Sequence, residues 1–153
     1  MLIWQGFGVS DIRNPQCRSK PGFFSNFLKK KGMKTPDVVQ PDVLVISDLQ
    51  VNITEKGRYM GTPDLVIEIL SDSTRTKDML DKLNSYMLST VKEYWIVDPR
   101  QESIIIYNFG NNDIDHIMVY ERGSDAHSRI FAGLSVNVNE FFSELIYGEA
   151  DHR

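Results

Sequence analysis

Apolar and polar positions follow two periods along the chain. SDSTRTKDMLDKLNSYML sets Met79, Leu80, Leu83, Tyr86 and Met87 at helical spacing, with Ser and Asp residues upstream that suit an N-cap. Short apolar runs bounded by turn residues predict strands instead. They fall at 43–47, where Pro41 near the start is tolerable, and at 65–70, in KEYWIVDP, in SIIIYNF and in IDHIMVYE. DPRQ and GNND between the last three read as turns. FFSNFLKKKG places Phe23, Phe24, Phe27 and Leu28 on one helical face, ahead of three lysines and Gly32, so a short amphipathic helix is expected there. SRIFAGLSVNV suits a short edge strand, and Asn139 is placed to cap a final helix through EFFSELIY. DLQVNITEKGRYMGT reads as a loop or irregular helix. Residues 1–22 include DIRNPQCRSKPG, which has neither period, and are expected to be irregular or poorly ordered. Strands outnumber helices and the two are interspersed, which predicts an α/β fold: a mixed β-sheet flanked by helices, in one domain over 23–148.

Size and composition narrow the class. A chain of 153 residues with 41% hydrophobic and 25% charged residues can bury one core and is not of disordered type. The start lacks a basic segment followed by an apolar run, and no segment is long enough to span a bilayer, so no membrane association is expected. The single cysteine, Cys17, cannot form an internal disulfide, and a cytoplasmic location is the expectation. A net charge of −4 argues against coating nucleic acid by charge alone, yet leaves room for an acidic metal site beside a local basic patch.

PDLVIEIL carries the candidate chemistry. Glu68 interrupts an apolar strand of the kind covered on both faces, where an unpaired carboxylate is costly. Alternation puts Asp64, Val66, Glu68 and Leu70 on one face, but four residues at ~3.3 Å rise separate Asp64 from Glu68 by roughly 13 Å, too far to share an ion. Antiparallel pairing of 43–47 with 65–70 would instead bring Asp42 beside Glu68 and Leu70. Two such acids suit a hard divalent cation, Mg²⁺ or Mn²⁺. Lys82, at the border of the helical stripe beside Tyr86 and Met79, can send its ammonium to the sheet edge and hold a water or a phosphate oxygen. Acids, lysine and a divalent ion together serve phosphodiester hydrolysis by a metal-activated water. The same residues admit a purely structural reading: Glu68 paired with Lys82 or Arg75, and Lys82 paired with Asp78 one turn earlier.

QPDVLVISD, GTPDLVIEILSDSTRTKD, DKLNSY and VKEYWIVDP, in that order, resemble the putative restriction endonuclease family abundant in cyanobacteria, a branch of the PD-(D/E)XK nuclease superfamily. The resemblance is continuous over 39–109 and looser to the C-terminal helix. It implies a restriction-endonuclease-like sheet flanked by helices, a divalent metal, DNA as substrate and a homodimer suited to duplex symmetry. By the same resemblance Asp42 is the motif aspartate and Glu68 the acid of the E-x-K element. Leu70 stands where that element keeps its lysine, and Lys82 matches a lysine that this family supplies from the following helix. Asp64 matches a family aspartate with two open roles, holding metal or water or shaping the strand entry. The resemblance thus names Asp42, Glu68, Asp64 and Lys82 as catalytic candidates and the three acids as metal ligands. It also leads one to expect a shortened N-terminus that lacks a sheet strand. A nuclease fold that binds DNA or a partner without cutting, and a phosphodiesterase acting on RNA or a smaller ester, stay open beside the DNA endonuclease. His116, His127 and His152 lie at no ligand spacing, and at least one of Tyr94 and Trp95 is expected in the core.

Overall fold

The computed structural model describes residues 2–5, 8–11, 26–28, 37–39, 41–47, 61–71 and 77–148, with side chains described over 41–47, 61–71 and 79–143. Among the described residues thirteen elements follow in chain order: β1 (Leu2–Gln5), β2 (Gly8–Asp11), β3 (Asn26–Leu28), β4 (Asp37–Val39), β5 (Val43–Ile46), β6 (Leu65–Ile69), α1 (Lys77–Leu88), β7 (Glu93–Asp98), β8 (Ser103–Gly110), β9 (Asp113–Tyr120), β10 (Asp125–His127), β11 (Ser135–Asn137) and α2 (Val138–Gly148). The main sheet has the order β2-β1-β5-β6-β7-β8-β9. β6 and β7 run parallel through the crossover helix α1, and the other neighbours pair antiparallel.

Alternation along the central strands feeds two cores. On one face Val45, Leu65, Trp95, Val97, Ile104 and Ile106 pack with Ala126, Val138 and Phe142, which come from the β10–β11 ribbon and α2. On the other, Val66, Tyr94 and Ile96 pack with Tyr86 and Val91, joined by Leu70, Met79 and Leu83, so α1 closes this side. Burying each of these large side chains contributes about 2 kcal/mol relative to exposure. β7 is buried at every position because it lies mid-sheet with both faces covered, and both Tyr94 and Trp95 are therefore core residues.

Polar groups inside this structure have specific partners. Glu93, fully buried, accepts hydrogen bonds from Trp95 Nε1 (2.6 Å), Asn108 Nδ2 (2.8 Å) and the Arg129 amide (2.8 Å). Asp98 Oδ1 accepts the amides of Arg100 and Gln101, the Asx turn that starts the β7–β8 hairpin. Asn111 and Asn112 have φ values of 54° and 61° and form the two-residue β8–β9 turn, where both central positions need positive φ.

Three expectations change. Residues 2–5 and 8–11 are strands rather than irregular: they pair with each other, and β1 pairs with β5, so the main sheet extends by two strands beyond β5. Within the helix expected over FFSNFLKKKG, the described residues Asn26–Leu28 form a strand paired with Asp37–Val39, and four apolar positions within six residues cannot separate the two periods. Asn137, not Asn139, caps α2, its Oδ1 accepting the Glu140 amide at 3.1 Å, while Asn139 Oδ1 accepts the Gly123 amide. Residues 48–60, 72–76, the side chain of Asp78 and Lys29–Lys31 lie outside the described residues, so the loop, N-cap and Asp78–Lys82 expectations do too.

Candidate active site

Antiparallel pairing of β5 with β6 sets Val43 against Ile67. One step further, Asp42 stands opposite Glu68 on the face that α1 covers. The alignment is pinned by Asp42 itself, whose Oδ2 accepts the Ile69 amide at 2.8 Å. Glu68 is only 5% exposed, whereas Asp42 is open to solvent.

α1 supplies the cation. Lys82 Nζ lies 3.1 Å from Glu68 Oε2, with its side chain 31% exposed, so the stem packs and the ammonium stays at the rim. One turn on, the Tyr86 hydroxyl donates to Glu68 Oε1 at 2.7 Å. Burial raises the Glu68 pKa above the ordinary carboxylate value. The Tyr86 hydrogen bond and the Lys82 charge pull against that rise, and the Asp42 charge adds to it. Tyr86 is pushed strongly upward, by burial first and then by the neighbouring Glu68 carboxylate, so its phenol remains a donor.

Asp64 is engaged at the other end of β6. Its Oδ2 accepts from the Ser47 amide (2.8 Å) and hydroxyl (2.7 Å), and its Oδ1 accepts from Lys92 Nζ at 2.6 Å. Burial opposes its ionisation, yet the Lys92 and Ser47 hydrogen bonds prevail and hold its pKa below the ordinary value. Asp42, Glu68 and Lys82 are thus brought together, and Asp64 is not among them. Leu70 joins the apolar cluster under α1. Among the described residues no three His, Cys, Asp or Glu side chains converge as a metal cluster. The acid pair still fits a divalent ion, since Mg²⁺ is held through one or two carboxylates and keeps several waters. Tyr86 escaped sequence reasoning because a tyrosine on an apolar helical stripe reads as core; its i+4 spacing from Lys82 was the available signal.

A mixed sheet closed by a crossover helix, with an acid pair opposed across β5 and β6 and a lysine from α1, defines a restriction-endonuclease-like α/β protein. The chain belongs to the Uma2 family, described as putative restriction endonuclease, which matches residues 14–139. Its fold is similar to the crystal structure of a putative nuclease of the DUF820 family from Anabaena variabilis, at a TM-score of 0.63 and 16% identity, covering 94% of this chain and 68% of that one. No curated protein matches the chain. The family match places the protein among putative nucleases. Among the described residues no helix is long and apolar enough to cross a membrane.

Proposed function

We propose that the protein is an endonuclease that hydrolyses DNA phosphodiester bonds with Mg²⁺ or Mn²⁺. The observation that carries this reading is the opposition of Asp42 and Glu68 across β5 and β6 with Lys82 3.1 Å from Glu68. The two carboxylates would hold the ion, Asp42 from the solvent side and Glu68 from beneath α1. A bound divalent ion supplies Lewis acidity toward a phosphoryl oxygen and lowers the pKa of coordinated water. Lys82 contributes fixed positive charge where the phosphate gains negative charge in the transition state. Asp64, held by Ser47 and Lys92, locks the β5–β6 strand ends in this scheme and has no direct part in the chemistry.

Plasmid cleavage tests the proposal. Wild-type protein is expected to relax and linearise supercoiled DNA only with Mg²⁺ or Mn²⁺, and Asp42→Asn, Glu68→Gln and Lys82→Gln each to lose at least about 100-fold, the scale of one preorganised electrostatic group. Cutting that persists in all three folded variants, or that ignores the metal, would overturn it. DNA binding by a wild-type chain that binds Mn²⁺ but never cuts would favour a nuclease fold that binds DNA without cleaving it.

A further inference from the structure

Glu68 is held at both oxygens by one helix. Tyr86 Oη donates to Oε1 at 2.7 Å and Lys82 Nζ to Oε2 at 3.1 Å, from positions one turn apart on α1. A carboxylate gripped at one oxygen can still rotate about its last torsion, whereas a grip at both fixes its plane. Each oxygen offers two lone-pair directions, so one on each is left for a further partner. We infer that Tyr86 is a positioning residue: its hydroxyl sets the plane of the Glu68 carboxylate so that a remaining lone pair faces the space beside Asp42, where a divalent cation would sit. The inference rests on the reading of Asp42 and Glu68 as a metal pair.

The Tyr86 ring cannot swing away from this contact. It is fully buried, lies 4.8 Å from the Tyr94 ring at an interplanar angle of 51°, and sits in the cluster with Val66, Val91 and Ile96. Lys82 is less constrained, being partly exposed on a flexible stem. Tyr86 is therefore the rigid half of the grip and Lys82 the adjustable half.

A merely structural Tyr86 would use Glu68 only to satisfy its own buried hydroxyl. The two roles part in Mn²⁺ affinity, read by titration calorimetry on the full chain at pH 8. Tyr86→Phe is expected to weaken Mn²⁺ binding by about 10-fold or more, the usual effect of removing a group that orients a metal ligand. Val91→Ala, which loosens the same cluster, should lower the unfolding midpoint and leave the affinity within twofold. Volume-matched replacements at position 86 separate hydrogen bonding from packing and guard against a variant that fails to fold. There, 4-fluorophenylalanine should reproduce the loss, and 4-aminophenylalanine, which restores a donor, should recover most of it. Affinity unchanged with 4-fluorophenylalanine would overturn the positioning role while the metal reading stands. A folded wild-type chain that binds no Mn²⁺ would overturn the metal reading, and this inference with it.

Discussion

Lys82 Nζ and Glu68 Oε2 lie 3.1 Å apart across fourteen residues of chain, joining α1 to the middle of the sheet at a largely buried carboxylate. The contact serves folding and the proposed chemistry together, because an ionised Glu68 with no cation beside it would be a buried uncompensated charge.

Lys82→Met should therefore destabilise the fold at pH 7 by about 1–3 kcal/mol, less than for a fully buried pair because Lys82 is partly exposed. The loss should shrink as Glu68 becomes protonated in acid. Urea unfolding of both proteins at pH 7 and pH 4 measures it, and an equal loss at both values would mean that packing of the stem, not the charge, is responsible.

Glu68→Gln should separate stability from activity. The folded Glu68 pKa is raised, so the carboxyl contributes stability that is fully present below its unfolded value near 4.5 and is lost as pH rises through the folded value. Glutamine does not titrate. Relative to wild type, the variant should thus gain stability as pH climbs from 4 to 8, while DNA cleavage falls below detection; thermal melts across that range give the sign directly.

Asp64 has the opposite linkage. Its pKa is lowered in the fold, so its contribution is present above 3.8 and disappears as pH falls through the folded value. Asp64→Asn should be the less stable protein at pH 7 and converge on wild type toward pH 2, with cleavage per folded molecule within twofold of normal. A large loss of cleavage at full folding would bring Asp64 into the chemistry after all.

Glu93→Leu should be the most damaging of these changes. It strips the acceptor from Trp95 Nε1 and Asn108 Nδ2 inside the core, at about 1–3 kcal/mol for each buried donor left unpaired, and from the partly buried Arg129 amide. Loss of soluble folded protein is expected, whereas Glu93→Gln should fold with reduced stability. Circular dichroism and unfolding curves distinguish the two.

Much of this was legible in the residues because it depends on local period and on strand pairing. β6, α1, β7 and the two hairpins after it follow from alternation, helical spacing and turn chemistry, and strand geometry alone sets Asp42, rather than Asp64, beside Glu68. Four short strands were not legible: β3 and β4 exist through each other, and β1 and β2 through the β5 edge, so their signal is a partner elsewhere in the chain. The α2 cap lies two residues before the expected one, since Asn137 and Asn139 are alike by type and only the fold decides which amide each one meets. The buried hydrogen bond from Tyr86 was hidden for a different reason. Its ring satisfies the apolar pattern completely, and nothing in that pattern shows where the hydroxyl ends.

The Val43–Ile67 register makes the proposed metal pair a vernier on strand alignment. Sliding β5 by one residue would turn Asp42 to the opposite face, and sliding it by two would keep the face but carry the carboxylate about 7 Å along the strand. Either displaced form would retain its sheet, its helix content and most of its buried surface. A bulk spectroscopic signal would read it as native, while a nuclease assay would read it as empty.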